Sequence, residues 1–348
     1  MTASASPPIL PLGGNDTRIW GMTTRERLDR IARAQGLAMA DGGEGIRVDL
    51  GYVFDPAWLK IAAARPGLAI TREGVPVIAH GPTTETMPQE TSEIENVALR
   101  KRERPFMERL TPATAPAIER ASYAGAYKGV TDILTKYLWP EWAFHLTRLA
   151  ARWRMTPNQI TLIGAVFCLI ATVCFAYAYY WIGLACGLFF MVLDTVDGKL
   201  ARCTITSSWW GNVFDHGMDL VHPPFWWYFW GTGLVWYGRP LADDVFWLCM
   251  GAILGGYVVQ RLIEGAFIAL YGIHIHVWRR FDSWFRLITA RRNPNMPILA
   301  AFLAIGRPDW GLEAVAIWTI ASLVVHLVQL LQAFWTRARG RPVTSWLQ

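Results

Sequence analysis

The pattern of apolar and polar positions divides the chain near residue 125. Before that point apolar residues come in short groups, whereas after residue 130 they form long continuous stretches. A helix needs about 20 residues to cross the hydrocarbon core of a bilayer. These stretches predict six transmembrane helices, at about residues 159–180, 183–201, 208–237, 244–272, 294–306 and 310–335.

The first 125 residues predict a small α/β domain. Residues 24–34 have apolar positions at helical spacing, with Thr23 or Thr24 as the cap. Residues 68–79 predict a β-hairpin, because two apolar runs flank a turn at Gly74. The fold class predicted for the whole chain is therefore an all-α integral membrane domain preceded by a small α/β cytoplasmic domain.

The distribution of charge predicts the topology. Residues 131–153 mix Trp and Phe with Lys and Arg, which is typical of a helix lying in the membrane interface. With a cytoplasmic N-terminus, the segments that flank the predicted spans carry thirteen Lys and Arg residues on the inside, between Arg148 and Arg341, and only Arg239 and Arg307 outside. We therefore predict cytoplasmic termini in a bacterial inner membrane, with a cytoplasmic domain at 1–125 and a transmembrane domain at 126–340.

Composition narrows the class of protein. The chain is 53% hydrophobic and 17% charged, whereas an ordinary soluble domain has about 25% charged residues. This excludes disorder, collagen and a purely soluble globule. The net charge of +6 lies mostly in the predicted cytoplasmic segments, which favours an anionic membrane over nucleic acid as the partner. The five cysteines include no CxxC pair and are interpreted as small buried side chains.

Four carboxylates lie at the predicted cytoplasmic ends of the second and third spans. Asp194 and Asp197 are three residues apart and Asp215 and Asp219 are four apart, so each pair shares a helix face. Charge in a membrane segment is costly and indicates function. Four such carboxylates in one pocket need a divalent cation, and oxygen ligands suit Mg²⁺ or Mn²⁺. The alternative is four separate carboxylates paired with nearby Lys and Arg.

The acidic segment resembles the signature of the CDP-alcohol phosphotransferase family, D-x-x-D-G-x-x-A-R-x(7–8)-G-x-x-x-D-x-x-x-D. All eight fixed residues are present: Asp194, Asp197, Gly198, Ala201, Arg202, Gly211, Asp215 and Asp219. Residues 156–161 also resemble the family element T-P-N-x-[VI]-T. The resemblance implies six transmembrane helices, an interfacial helix and a homodimer. It also implies transfer of a substituted phosphate from a CDP-linked donor to an alcohol, with release of CMP.

The resemblance assigns roles to individual residues. It implies that Asp194, Asp197 and Asp215 bind two Mg²⁺ or Mn²⁺ ions, and that Asp219 shares this site as the general base. The implied nucleotide pocket contains Asn158, Gly198, Ala201, Arg202 and Gly211. The implied partners are a donor such as CDP-diacylglycerol or CDP-inositol, an alcohol acceptor and membrane lipids, but no nucleic acid.

Arginines in the fourth predicted span and in the loop before the fifth bear on the acceptor. Arg261 either holds an acceptor phosphate or pairs with Glu264, one turn away. Arg286, Arg291 and Arg292 either bind an anionic acceptor or serve lipid headgroups and topology. This supply of arginine resembles the inositol-phosphate branch, which predicts an inositol phosphate acceptor in phospholipid biosynthesis. A phosphatidylglycerol-phosphate-type or other phosphatidyl transferase is the alternative.

Three further hypotheses concern histidines, the N-terminal region and the class of protein. His216 and His222 are either metal ligands or residues with a structural or hydrogen-bonding role. His274 and His276 either form a soft metal site or bind no metal. The N-terminal region resembles a degenerate cytidylyltransferase without its Gly-rich loop, or is an unrelated domain. A divalent-metal transporter also has aspartates in its spans, although usually near the bilayer midplane.

Overall fold

The computed structural model describes residues 7–97 and 99–348, except for the side chains of Asn212, Asp215 and His216. The chain divides into two compact units. The first contains the described residues up to Gly129, with Phe144–Pro157 and Val196–Ser208. The second contains Val130–Ala143, Asn158–Thr195 and Trp209–Gln348. The predicted domain boundary at residues 125 and 126 stays a prediction.

The first unit contains the β-strands of the described chain. They are β1 Ile9–Leu12, β2 Ile46–Asp49, β3 Tyr52–Phe54, β4 Leu68–Arg72, β5 Val75–His80, β6 Glu85–Pro88, β7 Ile94–Asn96, β8 Lys101–Glu103 and β9 Met107–Arg109. Five of them form a mixed sheet in the order β1-β2-β5-β4-β6. Strands β1 and β2 are parallel, β5 is antiparallel to β2 and to β4, and β6 is parallel to β4. Strand β3 pairs with β9, and β7 pairs with β8.

Three helices accompany these strands: α1 Thr24–Ala34, α2 Pro56–Ala63 and α3 Ala115–Gly125. The predicted helix over residues 24–34 is confirmed, and the Thr23 hydroxyl caps it by accepting from the backbone N–H of Glu26. The predicted hairpin is also confirmed, as β4 and β5. Trp58 on α2 is fully buried in the core of this unit, and its indole N–H donates to the carbonyl of Pro105 over 3.1 Å.

Helices dominate the rest of the chain. After a π-helical turn at Leu134–Leu138 come α4 Pro140–Arg152, α5 Pro157–Ala176, α6 Tyr180–Cys203 and α7 Trp209–Gly233. Then follow α8 Asp243–Met250, a π-helical turn Gly251–Gly255, α9 Gly256–Tyr271, a 3₁₀ turn Ile275–Val277, α10 Arg280–Phe285, α11 Arg292–Ala304 and α12 Pro308–Ala338.

Among the described residues, four helical segments are long and apolar enough to cross a membrane: α5, α6, the continuous segment Asp243–Tyr271 and α12. These agree with the predicted first, second, fourth and sixth spans. The predicted third and fifth spans form α7 and α11, neither of which is among the four. Helix α11 has only 13 residues, fewer than the roughly 20 that a straight crossing needs.

The two faces of α12 have the polarity expected of a helix in lipid. Its exposed face carries large apolar side chains, including Ile317, Val324 and Leu331. Its buried face carries polar side chains, namely Thr319, Ser322, His326 and Gln329. A soluble helix has the opposite arrangement, and an exposed apolar surface of this extent needs a partner or a membrane. Together with the four apolar segments, this supports an integral membrane protein.

Candidate functional site

The predicted acidic residues lie on two consecutive helices. Asp194 and Asp197 lie one turn apart near the C-terminal end of α6, and Asp219 lies in the third turn of α7. Asp215 lies one turn before Asp219, but its side chain is outside the described part of the structure. Helical geometry alone places each pair on a common face.

Arg292 joins the carboxylates of the two helices. Its Nη2 atom donates to Oδ2 of Asp194 over 2.9 Å, and its Nη1 atom donates to Oδ1 of Asp219 over 2.7 Å. The arginine side chain is not deprotonated in proteins. Arg292 is therefore a permanent cation between two of the predicted metal ligands.

Neighbouring residues fix the position of Arg292. Its Nε atom donates to Oδ1 of Asn293 over 2.9 Å, and the guanidinium lies 5.0 Å from the centre of the Phe190 ring. The amide nitrogen of Asn293 in turn donates to Oδ2 of Asp132 over 3.1 Å and to the Thr135 hydroxyl over 3.2 Å. This network helps to hold the bridging guanidinium in place.

His222 has the hydrogen-bonding role that was one of its two predicted roles. Its Nδ1 atom lies 2.5 Å from the carbonyl oxygen of Met218, so Nδ1 carries the proton and donates. Its Nε2 atom lies 3.4 Å from Nη1 of Arg292. A guanidinium can only donate hydrogen bonds, so Nε2 is the acceptor. The imidazole therefore supports Arg292. The side chain of His216 lies outside the described residues.

The donor set around Arg292 fits a divalent cation. Asp194 and Asp219 supply only oxygen atoms, which hard cations such as Mg²⁺ and Mn²⁺ prefer. In the first unit, Asp197 on α6 is itself only 3% exposed. Its carboxylate offers oxygen atoms of the same kind.

The residues predicted to bind nucleotide belong to both units. Gly198, Ala201 and Arg202 lie in the first unit, and a Cβ at Gly198 would approach the Arg202 guanidinium to 3.2 Å. The Nε atom of Arg202 donates to the carbonyl of Ala126 over 3.1 Å. Asn158, near the start of α5, and Gly211, near the start of α7, lie in the second unit. Their shared role in a pocket stays a prediction.

A second charged cluster surrounds Glu264 on α9. Arg261 donates to Oε1 of Glu264 over 2.8 Å, which confirms the predicted pairing one turn apart, and Arg291 donates to the same oxygen over 2.5 Å. His276 places Nε2 3.4 Å from this oxygen and 3.1 Å from Nη2 of Arg291. Arg261 and Arg291 were predicted to bind the acceptor, and both already contact a carboxylate.

His326 completes this cluster, and the sequence interpretation missed it. Ligand atoms of Glu264, His276 and His326 all lie within 4.8 Å of one another. His326 is fully buried near the middle of α12. An ionisable residue inside an apolar span is a functional candidate by default, so this signal was present in the sequence. Arg286, predicted to bind the acceptor, is 9% exposed and interacts electrostatically with Arg291 and Glu264.

Part of the chain is similar to known proteins. The family model "CDP-alcohol phosphatidyltransferase" matches residues 154–277. Cholinephosphotransferase 1 of Gallus gallus is 36% identical over 127 residues, which are 33% of this chain and 36% of that protein. Choline/ethanolaminephosphotransferase 1 of Arabidopsis thaliana is 36% identical over 118 residues, 30% of this chain and 29% of that protein. The chain therefore spans about a third of the length of these relatives.

Proposed function

Because residues 154–277 match the CDP-alcohol phosphatidyltransferase family model, we propose that the protein is an integral membrane transferase of this family. It moves a substituted phosphate from a CDP-linked donor to an alcohol acceptor and releases CMP, as a step of phospholipid biosynthesis. The observation that carries this proposal is that Arg292 bridges Asp194 and Asp219. Both aspartates lie within the matched residues 154–277, and Arg292 follows that segment along the chain.

The four aspartates Asp194, Asp197, Asp215 and Asp219 are proposed to hold two Mg²⁺ or Mn²⁺ ions. Such ions, when bound, neutralise the diphosphate of the donor and stabilise the leaving CMP. Support comes from the oxygen-only donor set of these side chains.

Asp219 is proposed to act as the general base. Its side chain is 45% exposed, so an acceptor hydroxyl has access to it, and the bond from Arg292 orients the carboxylate. Asp219 takes the proton of the hydroxyl as the oxygen attacks the phosphorus farther from cytidine. The nucleotide is proposed to bind against the small residues and the arginine of the signature, together with Asn158. The signature residues are Gly198, Ala201, Arg202 and Gly211.

The proposed architecture adds two spans to the four candidate spans of the described residues. Helices α7 and α11 are proposed as the two further spans, and α4 as an interfacial helix. The arrangement has both termini in the cytoplasm of a bacterial cell, with the protein in the inner membrane as a homodimer. The N-terminal region is proposed to be a degenerate cytidylyltransferase-like domain that no longer makes the donor.

Two acceptor classes have support. The arginines Arg261, Arg286, Arg291 and Arg292 supply positive charge in one unit, which favours an inositol phosphate or, as an alternative, glycerol phosphate. The names of the relatives, cholinephosphotransferase and choline/ethanolaminephosphotransferase, favour a second candidate, in which the donor is a CDP-linked amino alcohol such as CDP-choline and the acceptor is a lipid alcohol.

A CMP-release assay tests the reaction and its base. Purified protein in liposomes would receive CDP-diacylglycerol, CDP-inositol or CDP-choline, each with inositol 1-phosphate, glycerol 3-phosphate, inositol or diacylglycerol. We expect release with one pair, and an Asp219→Asn loss of about 10²- to 10⁴-fold in turnover.

Asp244→Asn is the matched control, because Asp244 is exposed in the first turn of α8. Full turnover by Asp219→Asn would refute the assignment of the base. Uptake of Mn²⁺ into the liposomes without CMP release from any pair would instead support a divalent-metal transporter.

A further inference from the structure

Residues 198–205, here called the α6 end, close their helix with a defined backbone motif. The N–H of Thr206 donates to the carbonyl of Ala201 over 2.8 Å, and the N–H of Ile205 donates to the carbonyl of Arg202 over 3.4 Å. This pair of bonds is the Schellman motif, in which one residue after the helix adopts the left-handed conformation. The motif satisfies two of the carbonyls that a helix terminus leaves without a partner.

The left-handed position of this motif is occupied by Ile205, whose φ is +52°. Glycine is usual at this position, and a β-branched residue is strained there. The side chain of Ile205 packs against the apolar core of the first unit, which includes Trp58 on α2. The burial of this side chain offsets the strain, and it anchors the α6 end in the core of the α/β region.

Two arginines of α1 cap the α6 end. Nη1 of Arg27 donates to the carbonyl of Cys203 over 2.9 Å, and Nη1 of Arg30 donates to the carbonyl of Thr204 over 2.9 Å. A cation at the C-terminus of a helix is also favoured by the helix dipole. Arg27 is only 4% exposed, so water screens its charge-assisted bond little. Helix α1 thus supplies donors that α6 itself lacks.

The segment at the end of α3 holds two further side chains of α6. Nε of Arg202 donates to the carbonyl of Ala126 over 3.1 Å. Nζ of Lys199 lies 2.8 Å from the centre of the Tyr127 ring and 5.2 Å from that of the Tyr123 ring. Lys199 is only 2% exposed, and a cation held over an aromatic ring is bound more strongly when it is desolvated.

We propose that the N-terminal region positions the nucleotide-binding residues of α6. The signature residues Gly198, Ala201 and Arg202 all belong to the α6 end, which α1, α3 and the apolar core of the first unit hold in place. Helix termini otherwise fray, and a site that is formed in only a fraction of the molecules loses affinity in proportion. The positioning residues are Arg27, Arg30, Tyr127 and Ile205.

The identity of the ligand, the nucleotide of a CDP-linked donor, rests on the proposed function. The alternative is that these contacts only stabilise the first unit. In that case their loss changes the melting temperature but leaves the affinity of the folded protein for nucleotide unchanged.

Two arginines of α1 form a matched pair for the test. Arg30 pairs with Glu26 and Arg33 pairs with Asp29, each four residues earlier on the same helix, but of these two arginines it is Arg30 that donates to Thr204. The side chains of Arg30 and Arg33 are 32% and 75% exposed. Arg30→Gln therefore removes a contact to α6, and Arg33→Gln is the control for the loss of a charge and an ion pair.

The measurements use the full-length protein in detergent with Mg²⁺. Calorimetry gives the affinity for CDP, and hydrogen exchange followed by mass spectrometry gives the protection of residues 196–208. For Arg30→Gln we expect faster exchange in this segment and a CDP affinity that is at least about fivefold weaker. In turnover assays the KM for the donor rises, whereas kcat stays close to that of the wild type. Arg33→Gln is expected to match the wild type in all four quantities.

Two further positions separate positioning from stability. Ile205→Gly relieves the strained backbone and keeps the motif, so it removes only the side chain that reaches the core. We expect weaker CDP binding from this variant as well, whereas a purely local cap would leave the affinity unchanged. Tyr127→Leu removes the ring under Lys199 and is expected to weaken CDP binding, and Tyr127→Phe keeps the ring and is expected to retain the affinity.

The outcomes distinguish this proposal from the proposed function. Unchanged CDP affinity in Arg30→Gln, Ile205→Gly and Tyr127→Leu would overturn the positioning role, whatever their melting temperatures. Equal losses in Arg30→Gln and Arg33→Gln would also overturn it, because the contact to α6 would then not matter. CDP binding that these variants weaken, without CMP release from any donor, would refute only the proposed function. CMP release by all variants with the donor KM of the wild type would refute only the positioning role.

Discussion

The bond between Arg292 and two carboxylates allows a quantitative prediction. Replacing Arg292 with Met keeps most of the apolar stem over Phe190 and removes the cation. The attraction of Arg292 for Asp194 and Asp219 is then lost. We expect the protein to lose stability without divalent metal and to recover much of it when Mg²⁺ or Mn²⁺ is added, because the ion replaces the missing charge.

The magnitude follows from burial. Two unit charges about 4 Å apart attract by about 4 kcal/mol at an effective dielectric constant of about 20. The side chains of Arg292 and Asp194 are 10% and 17% exposed, and removing one partner of such a pair costs about 3 to 5 kcal/mol. The side chain of Asp219 is 45% exposed, so water screens that pair and it adds at most about 1 kcal/mol.

The assay is denaturant unfolding of the purified protein in detergent, with EDTA and with Mg²⁺. The variants are Arg292→Met, Asp194→Asn and the double variant, with Arg280→Met as the control for loss of an exposed arginine. We expect the sum of the losses in unfolding free energy of the two single variants to exceed the loss of the double variant by about 2 kcal/mol or more. Additive losses, or no greater metal response in Arg292→Met than in the wild type, would refute the interpretation of Arg292 as the cation between the carboxylates.

Two further predictions concern stability in each unit. Trp58→Ala should destabilise the first unit by about 3 to 5 kcal/mol, because it empties a fully buried site; thermal unfolding followed by tryptophan fluorescence measures this, and a loss below about 1 kcal/mol would contradict it. Asp282→Asn should cost about 2 to 3 kcal/mol, because the fully buried carboxylate accepts from Arg279 and Gln329. An unchanged unfolding midpoint in the same detergent would contradict that second estimate.

The sequence predicted local structure well where the pattern itself determines it. Helix α1 has its predicted bounds because Thr23 caps it and apolar spacing defines one face. The four apolar segments were predicted because hydrophobic length is a property of sequence alone. Helix α11 was predicted as a span although it has 13 residues. Whether it crosses the membrane depends on its neighbours, which a hydropathy pattern does not contain.

The site was predictable in its chemistry but not in its pairing. Spacing indicated that the aspartates share helix faces, since helical periodicity is local. The partner of Asp194 and Asp219 comes from a segment about 70 residues or more away along the chain, at Arg292, and no local pattern specifies such a contact. The arginines were grouped as one acceptor set, whereas Arg292 contacts aspartates and Arg291 contacts Glu264.

The central claim is a metal-dependent transfer from a CDP-linked donor. The most direct test follows CMP release by the purified protein in liposomes before EDTA, after EDTA and after return of Mg²⁺ or Mn²⁺. We predict release from one CDP-linked donor, loss of release with EDTA and recovery with the metal. Release that is unaffected by EDTA would contradict the assignment of the aspartates, and no release from any CDP-linked donor by folded protein would contradict the proposed function.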